Sequence, residues 1–448
     1  MIGTKEVLAT GALARGSVTY PNAVLTYDQA MDVSDVGSNP GIELWTDITL
    51  SQRVQRSNDN NGQWDYSIVG AYFSGGVGVV YGSRTGSHGP QLRTWSSSSS
   101  GSFLIQSSGH PVPPVTIPNV SIHSAFYHTC GIVQSGEAYC WGRNDYGSVG
   151  DGTTQYRTSP QLISGGLSFA QLTGGLFHTC GLTTSGVAYC WGRNNFNQVG
   201  DGTDGDRVVP TAVSTSQSFT SLAAGQEHAC TLASVGTVWC WGWNSSGQLG
   251  TNDTNNRSTP TQVGGSISFA SITAGWTHTC GLTASGAAYC WGSNANGQLG
   301  DGSNSDRMLP VPVAGGLTFK SIDAGYQHTC AVTTSGAAFC WGYNTGGQLG
   351  DGSTTAQSTP APVTGDLAFA SISAGEFMTC GRSTSDSVYC WGNNEYGQLG
   401  VGSNTGLAAP TQVAGNESFA SLSVGAFNWC GVTASGAAFC TGYNRWGE

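Results

Sequence analysis

Fourteen cysteines fall in seven pairs: Cys130 with Cys140, Cys180 with Cys190, Cys230 with Cys240, Cys280 with Cys290, Cys330 with Cys340, Cys380 with Cys390 and Cys430 with Cys440. One unit of 50 residues therefore recurs seven times without insertion or deletion. A strict period of this length means one supersecondary unit that cannot bury both faces alone and therefore stacks on its own copies. Within residues 269 to 310, β-type runs at Phe269 to Ile272, Thr277 to Leu282 and Ala287 to Trp291 alternate with Gly, Asn and Ser clusters. That is a strand-and-turn pattern. The 68 glycines argue the same way, because each interior Gly costs a helix about 1 kcal/mol relative to Ala. The expected fold class is all-β.

Three segments repeat in register: Gly-x-x-His-Thr-Cys, Ser-Gly-x-x-Tyr-Cys-Trp-Gly-x-Asn and Gly-Gln-Leu-Gly-Asp-Gly. In these motifs residues 112 to 448 resemble the regulator of chromosome condensation repeat family, in particular the branch of the type II β-lactamase-inhibitory protein. The resemblance implies a seven-bladed β-propeller. The seventh unit ends without the strand that other units place near Pro260 to Val263, and a counterpart stands at Pro113 to Ile117. The N-terminal strand is expected to complete the seventh blade and remove an open sheet edge.

All the cysteines lie at or after position 130, so the first part of the chain differs in kind. Residues 1–95 are expected to form a small antiparallel β-domain for anchoring or assembly. Residues 96–109, rich in Ser and Gly, read as a linker, and 110–448 as the propeller.

Each cysteine pair encloses a hairpin with an x-Ser-Gly turn, as at Thr184-Ser185-Gly186. A three-residue loop with Gly in the left-handed position would set Thr183 opposite Val187 and Cys180 opposite Cys190, close enough for a disulfide. Seven intra-blade disulfides are expected; buried free thiols are the alternative. Zinc is disfavoured, because the pairs lack the short knuckle spacing of structural sites. Oxidation would place the protein in the extracellular space, at a cell surface or on a virion exterior. A virion protein would reconcile disulfides with the weak leader character of Val7 to Ala14.

A net charge of −11 excludes a basic nucleic-acid-binding stripe, and lysine occurs only at Lys5 and Lys320. No apolar run reaches the ~18 residues of a membrane span, so no membrane insertion is expected. Ser-His-Asp, His-Glu-x-x-His and phosphate-loop patterns are not identifiable, and neither an enzyme activity nor a cofactor is expected. The run Asp201 to Asp206 lacks a full calcium-ligand pattern and reads as a turn.

His128, His178, His228, His278 and His328 recur, with Met378 and Asn428 in the last two units. One imidazole per unit reads as repeated packing, since a metal would need its ligands converging on one point. The tryptophans after the second cysteine, Trp141 to Trp391, read as core between blades. The variable positions are more informative. Before the His they hold Phe126, Tyr127, Phe177, Trp276, Tyr326, Phe377 and Phe427; around the Asn of Trp-Gly-x-Asn they hold Tyr146, Phe196, Trp243, Tyr343, Tyr396 and Trp446. With Glu227, Glu376, Asp145 and Glu395 at the same variable positions, the two sets, if they share one face, make it an aromatic and acidic recognition surface for a protein or glycan; the alternative buries half of them in the channel. The functional expectation is a non-catalytic, surface-displayed structural and recognition protein. A secreted enzyme inhibitor is the alternative the resemblance suggests. Nucleotide exchange is disfavoured, since no unit carries an inserted loop.

Overall fold

The computed structural model describes residues 121–443 except Asn416 and Ser435, and before them only the strands Lys5–Arg15, Val18–Asp28, Leu44–Trp45, Tyr66–Ser74, Val77–Arg84, Gln91–Ser96, Gln106–Ser107 and Val115–Thr116. Two compact units result, Met1–Pro113 and Pro114–Glu448. Strands of the first unit pair into one three-stranded and one four-stranded antiparallel sheet. Gln106–Ser107, inside the segment read as a linker, pairs with Gln91–Ser96.

The second unit is a seven-bladed propeller of four-stranded antiparallel sheets. Blade four shows the plan: Phe269–Ala274, His278–Thr283, Ala288–Gly292 and Arg307–Pro312, from the central channel outward. Blade seven takes its fourth strand from the start of the unit, where Val115–Thr116 pairs antiparallel with Ala437–Gly442. The hairpin register sets Cys180 opposite Cys190, and the Thr183 N–H donates to the Val187 carbonyl at 3.0 Å. Gly186 sits at φ +80°, the left-handed position that this turn requires. The same register recurs in every blade, and the expected disulfides form rather than free thiols. Cys130 is bonded to Cys140, Cys180 to Cys190, Cys230 to Cys240 and Cys280 to Cys290. Cys330 is bonded to Cys340, Cys380 to Cys390 and Cys430 to Cys440, and in all seven the Cα atoms are 4.1 Å apart.

The repeated motifs are the joints between blades. Trp191, Trp241, Trp291, Trp341 and Trp391 are fully buried, each contributing on the order of 5 kcal/mol of gross apolar burial, whereas Trp141 is only half-buried. Trp241 packs with Val199 and Leu182 of the preceding blade, and its indole N–H donates to the Gln198 carbonyl at 3.0 Å. The His and Thr of the Gly-x-x-His-Thr segment make the second joint: His228 Nε2 meets Thr279 Oγ1 of the next blade at 3.0 Å, and that hydroxyl donates to the Gln248 carbonyl. The same pair joins His128 to Thr179, His278 to Thr329 and His328 to Thr379. Blade six breaks the pattern in a compensated way. Met378 faces Trp429 where four other blades pair His with Thr, and Thr441 stands where six units have Trp; Met378 and Trp429 share one apolar cluster. The recurring Asn is a loop hub: buried Asn194 accepts from the Val199 N–H and donates to the Thr203 and Gly205 carbonyls. The Asp-Gly segments are turns, as Asp201 accepts from the Thr203 N–H and hydroxyl and pairs with Arg207.

Candidate functional site

Two sets of loops meet at one end of the propeller. In each Gly-x-x-His loop the Gly N–H turns back to the carbonyl of the fourth residue, as Gly275 to His278 at 2.9 Å. This bond uses only backbone, which is why Met378 and Asn428 are tolerated: Gly375 and Gly425 make it too. Successive loops are then chained. Leu176 donates to the Gln226 carbonyl, Gln226 to Trp276, Trp276 to Gly325, Tyr326 to Gly375 and Glu376 to Gly425. The approach is so close that a Cβ on Gly275 would lie 2.4 Å from the Gly325 carbonyl oxygen. The second set is tied to the first: the backbone N–H groups of Arg143, Arg193, Trp243, Tyr343 and Tyr443 donate to the carbonyls of Tyr127, Phe177, Glu227, Gln327 and Phe427. Both variable sets therefore occupy the same end.

Their rings gather in three groups. Tyr127, Tyr146 and Phe177 form one group, with Arg143 5.0 Å above Phe177 and Arg193 5.2 Å above Tyr146. Phe196 and Trp243, 5.6 Å apart, form a second group, linked to the first through the Arg193 guanidinium, 5.7 Å from Phe177 and 5.9 Å from Phe196. On the other side, Trp276 meets Tyr326 at 4.0 Å, Tyr326 meets Phe377 at 5.3 Å, Tyr343 and Phe427 flank Phe377, and Tyr396 packs on Phe427 and Tyr443. Phe126 of blade one reaches Trp276 of blade four, 5.2 Å away. Phe126, Trp276 and Tyr326 line the mouth of the central channel, and the others lie outside it, partly exposed. Trp446 lies outside the described residues.

The carboxylates Glu227 and Glu376, which the sequence places among the variable positions, lie at this same end. Glu227 is buried; burial lifts its pKa to about 7 against the opposing pull of Arg193, which it meets at 3.3 Å, and it accepts from Gln198 Nε2. Burial also lifts Glu376, at the channel mouth, to about 7. A side chain in register with aromatic residues gives no sign in the sequence that it is buried. Beneath the mouth runs a cavity of about 400 Å³ whose walls are stitched by side chains of the innermost strands. Thr173 accepts from the Ala224 N–H, Thr273 from Ala324, Asp323 from Ala374 and Ser373 from Val424; Ser423 accepts from Ser124 and closes the ring between blades seven and one. Ala223 leaves one gap in this belt.

The sequence matches the regulator of chromosome condensation (RCC1) repeat over residues 135–182, 185–232, 235–282, 285–332, 335–381 and 385–430. The chain belongs to the RCC1 repeat family. Among curated proteins, this RCC1-repeat chain is similar to the probable E3 ubiquitin-protein ligase HERC4 of Homo sapiens, 38% identical over 59 residues, and to that of Rattus norvegicus, 39% identical. The similarity covers 12% of this chain and spans 6% of the length of those relatives. Among the solved structures that share the propeller are two with the following likeness. Human WBSCR16 has a TM-score of 0.66 and 18% identity, covering 78% of this chain and 92% of its own. Prp20p of Saccharomyces cerevisiae, described with its binding to Gsp1p and histones, has a TM-score of 0.61 and 21% identity, covering 72% and 81%.

Proposed function

We propose that this RCC1-repeat protein is a non-catalytic structural and recognition module of a virion or cell exterior, which binds a protein or glycan through the aromatic end of its propeller and is anchored or assembled through residues 1–95. The observation that carries this reading is the set of aromatic clusters at one end, Tyr127 with Tyr146 and Phe177, Phe196 with Trp243 joined to them through the Arg193 guanidinium, and a ring path from Phe126 to Tyr396, all mounted on hydrogen-bonded loop backbone. Partly exposed aromatics held rigidly lose little entropy on binding, and Trp and Tyr dominate interface hot spots. One disulfide per blade supports an oxidising compartment. Binding to a glycan array and to surface proteins of the source particle, compared between the full chain and the double variant Tyr127→Ala with Phe177→Ala, tests the reading. Loss of binding in the variant is expected, by about 2 kcal/mol or more if these rings are hot spots. Binding that persists, or that maps to residues 1–95 alone, would overturn it. The same rigid surface also fits a secreted enzyme inhibitor; nanomolar inhibition of a hydrolase by the full chain, abolished in the same variant, would favour that reading instead.

A further inference from the structure

The channel mouth carries a feature that recognition by the outer surface does not use. Glu376 is only 8% exposed and lines the cavity, yet among the described residues its carboxylate has no hydrogen-bond or ion-pair partner. Its position is fixed from both sides: its own N–H donates to the Gly425 carbonyl, and the residue before it accepts from the Tyr326 N–H at 2.9 Å. A desolvated carboxylate without a partner is costly and is normally relieved by a cation or a proton. No cation is supplied by the walls. Among the described residues lining the channel there is neither Lys nor Arg, and burial holds His123 neutral, with its pKa lowered to about 4. A second carboxylate, Asp323, lies deeper on the adjacent blade. Its oxygens accept from Thr273 Oγ1 and from the Ala374 N–H, both at 2.9 Å. Ala374 precedes Glu376 by two residues, a backbone span of at most ~7 Å. Lining the same cavity as Glu376 are Tyr326, Trp276 and Phe126, whose rings pack edge to face at 4.0 and 5.2 Å. A carboxylate among aromatic rings is the composition that attracts organic cations, through charge and ring quadrupole together.

We propose that the channel mouth is a receptor for alkylammonium groups, held by an ion pair to Glu376 and by the rings of Phe126, Trp276 and Tyr326, and that its preferred ligand is a short linear diamine whose second ammonium reaches Asp323. The cavity, at about 400 Å³, is within the range of small-ligand sites. Its small Ala, Ser and Thr side chains suit a methylene chain better than a branched or ring ligand. A lysine side chain of a protein docked on the outer surface would present the same ammonium, but only one of them. The inference does not depend on the outer surface having a macromolecular partner.

The test is calorimetric titration of the full chain with 1,5-diaminopentane, n-pentylamine, 1-pentanol and Nα-acetyl-lysine amide. The diamine is expected to bind most tightly, both single-ammonium probes more weakly and the alcohol not at all. Glu376→Gln, nearly isosteric, should weaken every amine by roughly tenfold or more, the loss expected for a charge-assisted contact. Asp323→Asn should cut the diamine down to the affinity of pentylamine without changing pentylamine itself. Trp276→Leu should cost roughly two- to thirtyfold and serves as the second variant should Glu376→Gln melt early. Equal binding of 1-pentanol, or amine affinity unmoved by both Glu376→Gln and Trp276→Leu, would overturn the proposal. Lysine amide binding as tightly as the diamine would overturn the diamine assignment and identify a protein side chain as the source of the ammonium.

Discussion

Blade two lacks one hydrogen bond that four other blades make, and restoring it should stabilise the ring. His178 is buried with neither ring nitrogen hydrogen-bonded, because Ala229 stands where blades two, four, five and six present the hydroxyl of Thr179, Thr279, Thr329 or Thr379 to the preceding imidazole. The acceptor for such a hydroxyl is already in place, since the Gln198 carbonyl receives the Trp241 indole N–H just as Gln298 receives both Trp341 and Thr329. In Ala229→Thr the new hydroxyl would bond His178 Nε2 on one side and that carbonyl on the other. Relieving a buried unsatisfied nitrogen contributes about 1–3 kcal/mol, from which packing two extra heavy atoms subtracts. A net gain of about 1–2 kcal/mol is expected. At ~2.1 cal/mol/K per residue, that raises the Tm of a unit this large by about 1.5–3 °C. The assay is thermal melting of Ala229→Thr beside Ala229→Val, which adds the same shape without the hydroxyl, and Thr279→Ala, which should orphan His228 and lower Tm by a similar amount. If the Thr and Val variants melt together, the imidazole bond contributes nothing and the reasoning fails. Hydrogen exchange should slow at the joint between blades two and three in the Thr variant alone.

Acid should destabilise the propeller: burial lowers the pKa of His128, His178, His228, His278 and His328 to about 3 and of His123 to about 4, so below pH 6.5 the unfolded chain binds protons that the fold refuses. Glu227 and Glu376, raised to about 7, oppose this by binding protons first in the fold as pH falls from 7 towards 4.5, but the imidazoles outnumber them. Tm should therefore fall between pH 6.5 and 4.5, and a flat or rising profile would contradict the assignment. Each disulfide closes a loop of sequence separation 10, so replacing Cys280 and Cys290 together by Ser should cost about 3 kcal/mol on the chain-entropy model, read as an early melt that reductant no longer shifts by as much as in the parent. Gly275→Ala would drive a Cβ to 2.4 Å from both the Gly325 carbonyl oxygen and the His278 ring; a loss of about 3 kcal/mol or more is expected, with Gly265→Ala, in open space but at φ +92°, costing less.

Much of this protein was legible in the sequence because a repeat is read many times over. The Cys spacing, the Ser-Gly turn and the Trp-Gly-x-Asn motif each answer to one local requirement: a register, a left-handed residue, a loop hub. Local requirements leave local marks, and seven copies in register make those marks unambiguous. The identity of the joints was legible only in outline, since His and Thr lie in one blade by sequence but bond across two in space. Substitutions at Met378, Trp429 and Thr441 look like decay of the pattern until the structure brings two of them into one cluster.

The candidate site divides the same way. Periodicity marked Phe126, Tyr127, Phe177, Trp276, Tyr326, Phe377 and Phe427 as variable positions on a constant scaffold, and did the same for Tyr146, Phe196, Trp243, Tyr343 and Tyr396. Whether the two sets share an end depends on a single backbone bond, Arg193 N–H to Phe177 carbonyl and its equivalents, which closes only once the hairpin is folded. The sequence by itself determined the unit, its number and its turns, because those depend on neighbours along the chain. Only the tertiary structure decided that Phe126 meets Trp276 and that Glu376 is buried, among the described residues, without a partner over a channel lined without Lys or Arg, because closing a ring places residues together whose separation of three blades leaves no trace in any one repeat.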